Sequence, residues 1–124
     1  MIYIHTALSV EASPIIEGFK LKKDMDTKEF QVFGNEDVIL IVSGVGKVKC
    51  AMGIAYLFGK YGVCEKDILL NVGYCGSSNL DVPLGTLKLA NKVRYGYRQG
   101  VLSRFVCDRI RARMHILFFE CDNK

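Results

Sequence analysis

The sequence predicts an α/β sandwich built on a mixed sheet. Three observations carry the prediction. Short apolar runs alternate with helix-periodic stretches in the order β-α-β-β-α-β-β. One run, Asp67–Val72 (DILLNV), is almost continuously apolar, as a central strand covered on both faces must be. The chain has 124 residues, half of them hydrophobic, which suits one core and not two.

The elements follow in order. Residues 1–6 (MIYIHT) form a short apolar run rich in β-formers, expected as a buried strand. Ser13-Pro14 fits the cap and first position of a helix, because proline lacks an N–H that the first turn does not use. Ser9 offers an earlier start. Ile15, Ile16 and Phe19 supply the apolar face and Gly18 weakens the end. Residues 20–28 are polar and are expected as a connection. Phe30–Phe33 and Val38–Val42 flank Gly34-Asn35-Glu36-Asp37, which reads as a hairpin. Ser43-Gly44-Val45-Gly46 is expected as a tight turn. Residues 47–61 have helical periodicity, and Gly62 stops them. Gly73–Ser78 is expected as a loop and Leu84–Val93 as the last strand.

In sheets of this kind ligands bind beyond the carboxyl ends of the strands. Three segments qualify: Ala7–Glu11, Ser43–Gly46 and Gly73–Ser78. Glu11 is the acid of the first. It reads either as a general base or as a surface carboxylate at a helix start. Ser43-Gly44-Val45-Gly46-Lys47 lacks the spacing of a phosphate loop and of a dinucleotide fingerprint, so a plain strand-to-helix turn is the simpler reading. Gly73-Tyr74-Cys75-Gly76 lets a flat base approach the backbone, or is simply a turn. Cys75 is expected as a small hydrophobe, since no histidine is placed to activate it.

Composition excludes other classes. No apolar run approaches the roughly 20 residues that span a bilayer, and residues 1–4 lack a secretory start. Five cysteines without metal-binding spacing point to reduced thiols and a cytoplasmic setting, with no metal. Residues 1–93 carry ten lysines, ten acids and no arginine, whereas residues 94–124 carry all six arginines, one lysine and three acids. That asymmetry sets a boundary at Val93. A basic nucleic-acid arm is the remote reading of residues 94–124, because they hold no recognition motif.

The three rim segments, taken together, resemble the nucleoside phosphorylase and nucleosidase superfamily, close to methylthioadenosine/S-adenosylhomocysteine nucleosidases. The matching pieces are ALSVEASPIIEGFKL (7–21), IVSGVGKVKCA (41–51) and LLNVGYCGSSNLDVPLGTLKLANKV (69–93). The resemblance implies a three-layer α/β/α fold that cleaves the N-glycosidic bond of a purine nucleoside without metal or organic cofactor. It implies that Glu11 positions and activates the attacking water. It places Ala7 and Leu8 as the small and apolar pair before that acid, and Val45 in the substrate pocket. Tyr74, Cys75 and Gly76 fall on the loop that contacts ribose and base.

Departures from the family pattern refine this. Asn71 stands where hexameric phosphorylases carry a phosphate-binding arginine, which favours hydrolysis. Tyr74 stands where a serine is usual. The family's second half supplies an aromatic base clamp, a Met-Glu ribose segment and an aspartate that protonates the leaving purine, and residues 94–124 contain no match. The expectation is a truncated fold, catalytically deficient, with homo-oligomerisation left open; the alternative is a non-catalytic nucleoside-binding module. Synonymous codons for Arg94–Arg111 can be chosen so that the next frame reads DMATDKVFYPDLFVIGF, which restores a family-like YPD, so residues 94–124 also read as a frameshift product.

Overall fold

A computed structural model of the chain describes residues 1–75, 83, 85–90 and 114–120. Among the described residues seven strands form one mixed sheet: β1 (Ile2–Thr6), β2 (Lys22–Lys23), β3 (Gln31–Gly34), β4 (Val38–Val42), β5 (Ile68–Cys75), β6 (Leu87–Ala90) and β7 (Met114–Glu120). Their order across the sheet is β2-β3-β4-β1-β5-β7-β6. β1 runs parallel to β4 and β5, and β5 parallel to β7, whereas the β2/β3, β3/β4 and β6/β7 pairs are antiparallel.

The two helices among the described residues cover opposite faces of this sheet. The strand alternation of two decides which side chains each receives. Tyr3, Ile39, Ile41 and Leu69 point to one face and pack with Leu57 of α2 (Lys47–Tyr61). Ile4, Val38, Leu40 and Val72 point to the other and pack with Ala12 of α1 (Ser9–Gly18). The result is the three-layer α/β/α sandwich that the resemblance implies.

The hairpin between β3 and β4 forms as its sequence requires. Asn35 Oδ1 accepts the amides of Asp37 (2.9 Å) and Val38 (2.8 Å), and Asn35 Nδ2 donates to the carbonyl of Phe19 (3.0 Å). One asparagine thus shapes the turn and ties it to the end of α1. At the far end of α2, Asp24 accepts from the Tyr61 hydroxyl and from Lys60 Nζ (3.0 Å). The Tyr61 bond is the main cause that holds the Asp24 carboxyl at about 2. This clamp fastens the β2–β3 connection to the helix.

Several expected boundaries move. α1 begins at Ser9, with Leu8 in the cap position and Pro14 inside the helix, and not at Ser13-Pro14. The reason is Glu11, whose carboxylate takes the amides of Ala7 and Leu8 and so begins the helix early. The cost is the bond that Pro14 cannot donate to Val10. The connection over residues 20–28 contains the two-residue strand β2, paired with β3. The strand expected to end at Val72 runs on to Cys75, because Gly73, Tyr74 and Cys75 pair with Phe118, Phe119 and Glu120 of β7. The last expected strand is found at Leu87–Ala90, with Leu84 and residues 91–93 outside the described residues. Of the arginine-bearing segment, residues 94–113 and 121–124 lie outside them too, and Met114–Glu120 forms β7 between β5 and β6.

Candidate functional site

Because β1, β4 and β5 are parallel neighbours, their carboxyl ends reach one edge of the sheet. The pairings Thr6↔Val42 and His5↔Asn71 bring Ala7–Glu11, Ser43–Gly46 and the last residues of β5, Gly73–Cys75, onto a common rim. Backbone bonds then tie these segments together. Ser43 N donates to the Thr6 carbonyl and Gly44 N to the Ala7 carbonyl, each at 3.0 Å. Gly44 and Gly46 take φ of +88° and +110°, a region costly for any residue with a Cβ, which is why the turn into α2 has glycine at both positions.

Glu11 is the centre of the rim. It is 9% exposed, low for an acid without a described ion pair. Its Oε2 accepts the amides of Leu8 (2.9 Å) and Ala7 (3.1 Å), and its Oε1 accepts the amide of Tyr74 at 3.2 Å. Three backbone donors from two segments thus fix the carboxylate. Gly73 permits this approach: a Cβ there would stand 3.2 Å from Glu11 Oε1.

The structure therefore joins Ala7, Leu8, Glu11 and Tyr74 directly. Val45 lies on the adjacent turn and is 65% exposed, while Leu8 and Tyr74 are also exposed. Cys75 is half-buried at the end of β5, opposite Glu120. Gly76 lies outside the described residues. Tyr74 and Cys75 are strand residues at the sheet's edge, not loop residues as the sequence suggested.

Beneath the rim lies a polar cluster that sequence reasoning missed. His5 is 3% exposed. Its Nδ1 is 2.7 Å from Asn71 Oδ1 and its Nε2 is 2.7 Å from Ser43 Oγ. The Ser43 hydroxyl is also 3.0 Å from the Gly44 carbonyl, and Cys50 Sγ is 4.0 Å from His5 Nδ1. Burial pushes the imidazole below its usual range, against the Asn71 bond and the Glu11 charge, which act the other way. The available signal was a histidine inside an otherwise apolar strand.

Other features lie away from this edge. An open cleft of about 390 Å³ sits at the opposite end of the strands, between Lys20, Lys22 and the Gly34–Asp37 turn. Among the described residues no three His, Cys, Asp or Glu side chains gather as a metal site, and no helix is long and apolar enough to cross a membrane.

A three-layer sheet with a buried glutamate where its parallel strands end defines a class: an α/β protein with a site at a carboxyl-end rim. Within that class the chain belongs to the Phosphorylase superfamily, whose family model matches residues 6–113. Its fold is similar to that of S-adenosylhomocysteine nucleosidase from Streptococcus pyogenes, solved with 5-methylthiotubericidin. The two are 22% identical with a TM-score of 0.63, over 86% of this chain and 51% of that one. It is also similar to the Streptococcus pneumoniae MTA/SAH nucleosidase in complex with 8-aminoadenine (24% identity, TM-score 0.61, 84% and 50% covered). A third match is the 5'-methylthioadenosine/S-adenosyl homocysteine nucleosidase of Campylobacter jejuni (26% identity, TM-score 0.58, 85% and 48% covered). The chain spans about half the length of these solved structures.

Proposed function

We propose that the rim is a purine-nucleoside site of the nucleosidase type, in which Glu11 positions and activates the water that attacks the ribosyl carbon. The observation that carries this reading is the three-amide cradle of Glu11. A carboxylate fixed by backbone donors loses no entropy when it orients a water, and Oε1, with one described bond, has a second lone pair to accept from it. Val45, Leu8 and Tyr74 are exposed around it and would meet the substrate, and Ala7, Cys75 and Gly76 complete the lining on this reading. The substrate class is methylthioadenosine or S-adenosylhomocysteine, by the resemblance and by what the similar structures are named for.

Hydrolysis fits better than phosphorolysis. Asn71 stands where the resemblance places a phosphorylase's arginine, and its carbonyl is engaged by His5. An amide offers no guanidinium fork to phosphate oxygens. No metal or organic cofactor has a part in this chemistry. The reduced thiols of Cys50 and Cys64 suit a reducing, cytoplasmic setting. Exposed Val48 and Met52 on α2 suit a homo-oligomer.

The 124-residue chain is proposed to be a slow catalyst, because the aspartate that would protonate the leaving base has no counterpart in it. Such a proton contributes about 10²–10⁴-fold. The boundary at Val93 and the shifted reading frame belong to the same proposal, and the nucleotide sequence beyond codon 93 decides them. Enzymatic function is tested by following adenine release from methylthioadenosine. The expected result is a slow release that Glu11→Gln abolishes. Saturable binding with no release would favour the non-catalytic module, and release that survives Glu11→Gln would remove the acid from the mechanism.

A further inference from the structure

We propose that His5 is a positioning residue for the rim: its imidazole ties the Ser43–Gly44 turn to the end of β5 beneath Glu11. Its influence on ligand binding rests on the nucleoside reading of the rim, whereas the positioning itself is a property of the free protein.

The geometry is that of a bridge across three strands. His5 lies on β1, Ser43 follows β4 and Asn71 lies on β5. Both ring nitrogens are engaged at 2.7 Å. The Asn71 carbonyl can only accept, so the hydrogen-bond network assigns the ring proton to Nδ1. Nε2 then accepts from the Ser43 hydroxyl. Asn71 is two residues before Gly73 and three before Tyr74, whose amide holds Glu11. Ser43 precedes Gly44, whose amide holds Ala7. One side chain thus spaces the two segments that border Glu11.

The bridge also has two proton arrangements. In the neutral ring the Ser43 hydroxyl donates to Nε2. In the protonated ring Nε2 donates to Ser43 Oγ, and the hydroxyl proton turns to the Gly44 carbonyl at 3.0 Å. Among the described residues the groups facing the ring are few. α1 contributes the Glu11 charge, α2 the Cys50 thiol at 4.0 Å, the turn after β4 the neutral Ser43 and β5 the neutral Asn71. Lys49 is a cation beside Gly44. Burial disfavours the charged ring, so its protonation is expected only below the usual imidazole range and should be read out at the Gly44 turn.

Amide and imidazole NMR spectra of the ligand-free chain test this, with two variants that each keep one arm. His5→Asn retains a donor for Asn71 and His5→Gln retains a group for Ser43. His5→Asn is expected to move the amides of Gly44 and Val45 more than that of Tyr74, and His5→Gln the reverse. In the wild type, Gly44 should titrate with the ring midpoint, and in Ser43→Ala it should not. Affinity for methylthioadenosine should weaken in either variant, by up to about tenfold, to the extent that binding must re-form the rim that His5 holds in the free protein. Gly44 shifts that ignore both the ring titration and His5→Asn would overturn the proposal. A wild type that binds no nucleoside would instead defeat the reading of the rim, and the ligand-free spectra would still decide the role of His5.

Discussion

Glu11→Ala is expected to lower the stability of the fold by about 3 kcal/mol, a large share of the roughly 5–15 kcal/mol that holds a small domain together. The carboxylate takes three backbone N–H groups, those of Ala7, Leu8 and Tyr74. Alanine leaves all three without that acceptor. Bonds to a charged acceptor are worth about 1.5–3 kcal/mol each, and water reaching the exposed Leu8 and Tyr74 recovers part of the loss. Glu11→Gln should cost about half as much, because its oxygen still accepts while its NH2 confronts at least one amide. Urea melts of the two variants check the order. If both variants melt with the wild type, the cradle does not hold the rim together.

Gly53→Val should destabilise the chain by about 3 kcal/mol, through overpacking and not through helix propensity. A Cβ at Gly53 would lie 2.8 Å from Ser43 Cβ and 3.5 Å from Ile41 Cδ1. Gly53 is buried within α2 where the helix crosses the end of β4. In an exposed helix alanine would gain about 1 kcal/mol over glycine; here Gly53→Ala should lose stability. The displaced atom belongs to Ser43, so the valine variant should also disturb the His5–Ser43 bond. Thermal melts of both variants, with Gly59→Ala as the open-space control, measure the effect. A stabilised Gly53→Ala would show that the helix can move away from β4 at no cost.

The parts of the fold legible in the sequence are those where local chemistry and tertiary packing agree. α2 occupies residues 47–61, as its periodicity and Gly62 require, and β4 occupies Val38–Val42 behind its hairpin turn. Disagreement arises where a long-range partner intervenes. Pro14 marks a helix start by local rules, yet Glu11 captures two amides upstream and moves the start to Ser9. Gly73–Cys75 looks like a loop by composition, yet residues 118–120, far later in the chain, pair with it. No local signal in His115–Glu120 (HILFFE) announces a parallel partner for β5. Glu11 itself was legible as a rim acid by its position after the first strand. His5 and Ser43 were not, because a buried network depends on which strands become neighbours, and β1 is flanked by β4 and β5 only once the sheet forms.

The central claim is that the rim around Glu11 receives a purine nucleoside. A titration of the isotopically labelled chain with methylthioadenosine, followed by backbone amide shifts, tests it most directly. Saturable shifts are expected at Ala7, Leu8, Val45, Tyr74 and Cys75, with the Gly34–Asp37 turn at the opposite end of the sheet unmoved. A folded chain whose rim amides stay still at millimolar nucleoside, or whose shifts gather at that far turn, would contradict it.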